Sequence, residues 1–483
     1  MKRLIHVLLT TFFFVAITPS FANIADSVSL TIHLRGVYKC KISLLSLNKS
    51  YLFKPVYELP PIMNGETTRL KIAPEHLPGE FVLRFDYYET KKSTVYPSEK
   101  SLIISKQDLE LWVSPKYCNN ADSTFFQKDE IENQTINRFR RINADKKEQL
   151  GLLQTLLMNY DTPESSFYQS AVQEYEQRRK AYNNWIDSSY KADKKLFASS
   201  VYNFEKVPKI IFRGSETDRI KGIIAHYFDE MDFDNPIIIR SSKIFEFMNN
   251  YINLTGQLCT TVELRDSLIP AAAVVAIETA RKGHPELYGW MVDYFYRGFE
   301  TNAIDAGLKF LKPYIDDPKC LTSKKLEIQK RLEGMKTIVS GIKAPEISMP
   351  DENGNPFSLN AYKTSKKYIL LVFWSADCSH CVETTQSIFE WNQNTEVSSM
   401  VDIVAISLDE TSTEIEKWNQ KRKELTNWLH MRAAEGIRSE AAAAYYILAT
   451  PVMVLLDAQT KIIKSTPITT KELIKDFEKL NSN

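Results

Sequence analysis

LLVFWSADCSHCVETTQSIF, residues 370–389, joins an apolar run to two cysteines and then to a segment with helical spacing. A short, continuously apolar run of this kind is typical of a buried strand. Cys378 therefore lies at a predicted helix N-terminus, where free N–H groups and the helix dipole stabilise a thiolate. Cys381, one helical turn later, can reach back to the same sulfur. An attacking thiol with a resolving thiol beside it is the minimum arrangement for disulfide exchange.

Strand-like and helix-like segments alternate after the cysteine pair. The predicted strands are VDIVAISLD (401–409), PVMVLLD (451–457) and KIIKST (461–466), and the predicted helices cover 413–429, 439–447 and the C-terminus. Alternating βα units predict a sheet with helices on both faces.

The cysteine pair has three interpretations: a redox centre, a metal site or a structural disulfide. A metal site needs a second ligand pair, and the chain has no other C-x-x-C and no H-x3-H, so no metal or cofactor is expected. The structural disulfide is the stronger alternative. The pair Thr450-Pro451 argues against a structural disulfide. It directly precedes a predicted strand, and a proline at that position is typical of a cis-proline loop that faces the cysteines.

Three stretches carry a family resemblance: KAPEISMPDENGNPFSLNAYKTSKKYILLVFWSADCSHC (343–381), VAISLDE (404–410) and ATPVMVLLDAQTKII (449–463). Together they resemble the TlpA/ResA-like branch of the thioredoxin superfamily over about residues 342–483. The resemblance implies that Cys378 is the exposed nucleophile and Cys381 the resolving thiol. It further implies that Pro451 is a cis-proline whose neighbour Thr450 offers its backbone to the substrate chain. Trp374 matches the aromatic residue at the end of the family's strand.

The sequence departs from the family at two positions. Val372 stands where thioredoxins usually have a buried Asp, and Thr384 stands where ResA-like members usually have Glu, with Glu383 one place early. The base that deprotonates Cys381 is therefore unidentified. His380, between the cysteines, is a further candidate site residue, because it can donate a hydrogen bond to the Cys378 thiolate or place positive charge near it. The alternative is a His380 side chain that points to solvent.

These residues predict a thiol-disulfide oxidoreductase that acts on protein thiols or disulfides. The resemblance favours a reductase, which would take electrons from a membrane donor of the DsbD or CcdA kind, while His380 keeps oxidase or isomerase activity open. One alternative is a thiol peroxidase of peroxiredoxin type. Ser375 lies three residues before Cys378, where a peroxiredoxin has a hydroxyl residue. The proline that is usual four residues earlier is absent, and Leu371 occupies that position. The other alternative is a non-enzymatic partner-binding protein with a passive thioredoxin domain.

The N-terminus predicts export. MKRLIHVLLTTFFFVAITPSFA, residues 1–22, places Lys2 and Arg3 before a short apolar run and small residues, as in a cleaved signal peptide. Export implies the periplasm, an oxidising compartment in which cysteines tend to be paired or catalytic. Removal of Lys2 and Arg3 takes the formal charge from +1 to −1. A charge this close to zero gives no electrostatic argument for nucleic-acid binding.

The 483 residues predict a multidomain chain. Period-2 alternation from Val28 predicts an N-terminal β-sandwich or barrel over 23–125. A 3.6-residue period predicts a mostly helical middle region over 126–341, in which an aromatic stripe (Tyr168, Tyr175, Tyr182) is interpreted as core. The α/β thioredoxin fold follows over 342–483. The two upstream regions, with ENQTINRF at 132–139, resemble exported Bacteroidetes-type family members.

Four cysteines lie outside the C-x-x-C pair. Cys40 and Cys118 fall near the two ends of the predicted β-domain, either as a disulfide that closes a long loop or as two buried thiols. Cys259 and Cys320 can also pair, but sequence alone does not determine the connectivity.

Overall fold

The computed structural model describes residues 27–47, 53–302 and 304–482. The predicted signal peptide, residues 1–22, lies outside them. The chain divides into two compact units, one up to Leu287 and one from Tyr288 onward. Among the described residues, no helix combines the length and the apolar character that crossing a bilayer requires.

The first unit begins with a β-sandwich, in which the first strand has the predicted alternation. Val28, Leu30, Ile32 and Leu34 are buried and contribute to one hydrophobic core shared by two sheets. The strands are β1 (Val28–Leu34), β2 (Lys39–Ser46), β3 (Lys54–Glu58), β4 (Ile62–Met63), β5 (Thr67–Ile72), β6 (Gly79–Tyr88), β7 (Tyr96–Ile104), β8 (Leu109–Val113) and β9 (Phe125–Phe126). The sheet orders are β5-β1-β8-β9 and β3-β2-β6-β7, with β4 paired to β2.

The helical region packs against this sandwich through buried polar contacts. The Asn133 side chain accepts from the backbone N–H of Ile103 and donates to its carbonyl, at 2.8 and 2.9 Å. The aromatic stripe is core as predicted, since Tyr168, Tyr175 and Tyr182 are all buried. The helices are α1 (Glu132–Asn159), α2 (Ser166–Asp193), α3 (Glu216–Ala225), α4 (Ser242–Gly256), α5 (Val262–Arg281) and α6 (Pro285–Thr301), and the division between the units falls within α6.

The second unit is built on a five-stranded sheet. Its elements are α7 (Asp305–Phe310), α8 (Lys312–Ile315), α9 (Lys325–Thr337), β10 (Ser348–Pro350), β11 (Pro356–Ser358), β12 (Tyr368–Trp374), α10 (Ser379–Asn392), α11 (Thr395–Met400), β13 (Val401–Ser407), α12 (Ser412–Lys421), β14 (Leu429–Arg432), α13 (Glu440–Ala444), β15 (Val452–Asp457), β16 (Ile463–Ser465) and α14 (Thr470–Asn481). The order of the strands in the sheet is β14-β13-β12-β15-β16. The central strand β12 is buried along its whole length, which explains its continuous apolar run. Its alternate residues enter two hydrophobic clusters, so both faces of the sheet are covered, as predicted.

The predicted helix over 413–429 is wrong in its second half. Helix α12 ends at Lys421, and Leu429–Arg432 forms the edge strand β14, which pairs in parallel with β13. Asn427 has a φ of 65°, in the left-handed region that asparagine tolerates better than most residues. The helix therefore cannot continue through this position, and the apolar residues after it pair with the sheet instead.

All six cysteines are free thiols in the structure. Cys40 and Cys118 are buried in the core of the β-sandwich, which corresponds to the second of the two predicted alternatives. Burial raises the pKa of the Cys40 and Cys320 thiols to about 12.

Candidate active site

The cysteine pair lies where the central strand β12 passes into helix α10. Cys378 is the N-cap residue of α10 and has an extended backbone. Its Sγ accepts a hydrogen bond from the backbone N–H of Cys381 at 3.2 Å, so a sulfur occupies the place that a Ser or Asp oxygen takes at other helix starts. The Cys378 side chain is half-buried, whereas Cys381 is fully buried. A reagent from solvent can therefore reach the first thiol and not the second.

The Cys381 thiol is held in its protonated form. Burial raises its pKa to about 12, with the hydrogen bond to Cys378 as the next cause. The Sγ of Cys381 donates to Oγ1 of Thr450 at 3.3 Å. Cys381 thus remains a neutral thiol at physiological pH until a base or the disulfide step itself removes its proton.

Thr450 and Pro451 meet the cysteines because β15 pairs antiparallel with β12. Phe373, near the end of β12, lies opposite Val452, at the start of β15. The carbonyl oxygen of Thr450 lies 4.0 Å from Sγ of Cys378. The Thr450–Pro451 peptide bond is cis, as the sequence pattern predicts. One residue, Thr450, therefore contacts both sulfur atoms.

Asp409 is a buried carboxylate that sequence reasoning missed. Its Oδ1 accepts from the Ser375 hydroxyl at 2.6 Å, its Oδ2 accepts from the Ser407 hydroxyl at 2.7 Å, and both oxygens accept from the Ala376 N–H. The side chain is fully buried. Asp409 therefore fixes the loop that precedes Cys378.

A sequence signal for Asp409 exists. Trp374 lies opposite Ser407 in the parallel pair of β12 and β13, and the two strands end at the same edge of the sheet. A polar residue just after one parallel strand is therefore placed beside the loop that follows its neighbour. The Asp in the stretch VAISLDE stands at that position.

The remaining candidate residues occupy different environments. His380 is exposed on the first turn of α10, and none of the described residues hydrogen-bonds to its ring. Trp374 is fully buried, and its Nε1 has no hydrogen-bond partner in the described part of the chain. Thr384 is buried and Glu383 is exposed, so neither places a buried carboxylate beside Cys381. Across the described residues, no three His, Cys, Asp or Glu side chains cluster as metal ligands would.

Residues 366–462 match the family model for thioredoxin-like domains. This stretch runs from two residues before β12 to the residue before β16 and includes both cysteines and Pro451. These residues form a thioredoxin-like domain. The predicted resemblance to the thioredoxin superfamily and the predicted C-terminal α/β thioredoxin fold are thereby confirmed.

Several solved structures are similar to part of the chain. A thiol-disulfide oxidoreductase from Bacteroides fragilis is 28% identical, with 29% of this chain and 98% of that chain covered and a TM-score of 0.26. The thioredoxin domain of a thiol-disulfide oxidoreductase from Bacteroides vulgatus is 25% identical, with coverages of 30% and 99% and a TM-score of 0.26. A thioredoxin-like protein from Bacteroides caccae is 16% identical, with coverages of 56% and 96% and a TM-score of 0.36. No curated protein matches the chain.

Proposed function

We propose that the protein is an exported thiol-disulfide oxidoreductase that exchanges disulfides with protein substrates, with Cys378 as nucleophile and Cys381 as resolving thiol. The observation that carries the proposal is the contrast between the two thiols. Cys378 is half-buried at a helix N-terminus, and its sulfur accepts the Cys381 N–H. Cys381 is fully buried, and burial raises its pKa to about 12. Unequal thiols of this kind suit a two-step exchange.

The exchange moves two electrons from the cysteine pair to the substrate. The Cys378 thiolate attacks a substrate disulfide, so a Cys378–substrate S–S bond forms and the other substrate sulfur leaves as a thiolate. Cys381 then loses its proton and attacks the Cys378 sulfur. This step forms the Cys378–Cys381 disulfide and releases the second substrate thiolate. The proton from Cys381 ends on a released thiolate or on water.

The reductase direction requires a supply of electrons outside the cell's reducing cytosol. A membrane dithiol donor of the DsbD or CcdA kind would re-reduce the Cys378–Cys381 disulfide after each turnover. Export is proposed from residues 1–22, which carry the predicted cleaved signal peptide and direct the protein to the periplasm. The proposed organisation of the mature chain is a β-rich domain over 23–125, a helical domain over 126–341 and the thioredoxin-like domain over 342–483.

A thiol peroxidase is the less supported alternative. Its mechanism needs the Ser375 hydroxyl beside the reactive sulfur, but this hydroxyl donates to Asp409 and accepts from the Asp377 N–H. Peroxide consumption in the presence of a dithiol reductant separates the two functions. The proposal requires reduction of a protein disulfide such as insulin at a rate well above that of peroxide consumption.

Selective alkylation tests the assigned roles of the two thiols. We expect limiting iodoacetamide at pH 8 to label Cys378 first in the reduced protein, because a thiol with a pKa of about 12 is a thiolate in only about one molecule in 10⁴ at that pH. Cys40, Cys320 and Cys381 share this raised pKa. Cys259, which is half-buried, is the internal comparison. Mass mapping reads the label, and preferential labelling of Cys381 would reverse the two roles.

A His380→Pro variant tests the proposed role of the dipeptide between the cysteines. The exposed imidazole is available to donate a hydrogen bond to the Cys378 thiolate or to place positive charge near it. Its removal therefore destabilises the reduced form, and we expect a reduction potential that is more negative by tens of millivolts, where a tenfold change in the equilibrium is about 30 mV. Titration against glutathione measures this potential. Ser379→Ala is the matched control. Equal reduction potentials in the wild type and both variants would show that His380 has no effect on the cysteine pair.

A further inference from the structure

A cavity of about 500 Å³ opens beside the cysteine pair, within the unit that starts at Tyr288. One wall is the segment 445–454, which includes Thr450 and Pro451. Thr450 also contacts the sulfur atoms of Cys378 and Cys381. The opposite wall is formed by α9 with the end of α6 and part of α7, and we call this cavity the α9 cleft. Its volume lies in the range of ligand-binding sites in proteins.

The helical wall of the α9 cleft is held close to the thioredoxin-like domain. A Cβ built on Gly334 of α9 would lie 2.7 Å from Cβ of Tyr446, so only glycine permits this approach. Beyond the helix, the Gly341 N–H donates to the Ile463 carbonyl at 2.8 Å. Arg331 holds the far rim through ion pairs to Glu300 and Asp305. The cleft is thus preformed, which reduces the ordering cost of binding.

Between this rim and Thr450, most of the side chains that line the cleft are apolar. Met335 of α9 and Val339, two residues after the helix ends, are half-buried on one side, and Leu448 is half-buried on the other. Ile468 lies beside them and is 57% exposed. The rim carries two cations, Arg331 and Lys309, and the two carboxylates that pair with Arg331, so it presents no strong field of one sign. The chemistry of the cleft therefore suits apolar side chains.

We propose that the α9 cleft receives the apolar side chains that flank a substrate cysteine during exchange, and so directs the enzyme to unfolded polypeptide chains. This inference rests on the proposed function. A substrate joined to Cys378 through a disulfide must pass next to Thr450, and successive residues lie about 3.8 Å apart, so its neighbouring residues come within reach of the cleft. Folded proteins bury their large apolar residues, so a cysteine with exposed apolar neighbours is a feature of an unfolded chain.

The wall that selects the substrate lies outside the residues common to the fold. Helices α6, α7 and α9 all end before residue 366, where the match to thioredoxin-like domains begins. The cysteines and Thr450 lie inside that match. Chemistry and selectivity are thus carried by different parts of the chain.

Three disulfide substrates test this inference on the mature protein with dithiothreitol as the reductant. They are a peptide whose cysteines are flanked by Leu and Phe, the same peptide with Ser at the flanking positions, and glutathione disulfide. For Met335→Asp and Ile468→Asp we expect kcat/KM with the apolar peptide to fall about tenfold or more, because a carboxylate replaces an apolar contact on either wall. The rates with the Ser peptide and with glutathione disulfide should stay within twofold of the wild type.

Leu326→Asp is the matched control, since Leu326 lies on α9 at 76% exposure and away from the cleft. An equal fall for all three substrates in both cleft variants, or no preference of the wild type for the apolar peptide, would overturn the inference while the proposed function stands. A wild type that reduces none of the three, glutathione disulfide included, would overturn the proposed function and the inference with it. Ile468 is on the surface, so its variant reports on the cleft even where Met335→Asp folds poorly.

Discussion

Replacement of Cys378 by Ser is expected to reduce disulfide exchange at least about a thousandfold, because a serine hydroxyl at neutral pH does not replace a thiolate as the attacking group. The buried Cys381 cannot take over, since burial keeps it protonated with a pKa of about 12. Reduction of insulin by dithiothreitol, followed by turbidity, measures the effect. Cys259→Ser, which changes a half-buried thiol outside the pair, is the control and should retain full activity.

The companion variant Cys381→Ser should behave differently, because it keeps the nucleophile and removes the thiol that releases the substrate. Mixed disulfides on Cys378 should then accumulate. They appear as adducts on non-reducing gels after rapid acid quenching, and mass spectrometry identifies the attached proteins. If Cys378→Ser and Cys381→Ser trap equally few partners in cells, the thioredoxin-like domain is a passive scaffold and the protein is a partner-binding module.

Replacement of Asp409 by Ala should destabilise the thioredoxin-like domain by about 2–4 kcal/mol, since it leaves the buried donors of Ser375, Ala376 and Ser407 without an acceptor. The loss is concentrated in the loop before Cys378. Hydrogen exchange should therefore show faster opening at the ends of β12 and β13 than in β15. Urea unfolding measures the overall change in stability.

The same variant should alter the exchange reaction, because the Ser375 backbone contacts the Cys381 sulfur and lowers its pKa. We expect a slower release of the mixed disulfide, which single-turnover kinetics separates from its formation. Asp377→Asn is the matched control, as Asp377 is an exposed carboxylate of the same loop whose partner is the exposed Lys417. A resolving rate that is unchanged in Asp409→Ala would limit Asp409 to a structural role.

The location of the cysteine pair follows from local sequence. An apolar run that is buried on both faces predicts the central strand, and the helical spacing after Cys381 predicts the helix, so the residue between them becomes an N-cap. The position of Pro451 beside the cysteines is predicted from its place directly before a strand-like segment, together with the family resemblance. The β-sandwich and the aromatic core of the helical region follow in the same way from their periods, because periodicity depends only on which face is buried.

The contacts around the pair depend on tertiary structure. Ser375 and Asp409 are 34 residues apart, and only the parallel register of β12 with β13 brings them together. Strand β14 replaces the second half of a predicted helix because Asn427 turns the chain and an open sheet edge offers hydrogen bonds. The α9 cleft requires Gly334 to approach Tyr446 across more than a hundred residues of chain. Propensity and periodicity describe neighbours along the chain, whereas these contacts arise from the order and direction in which strands and helices pack.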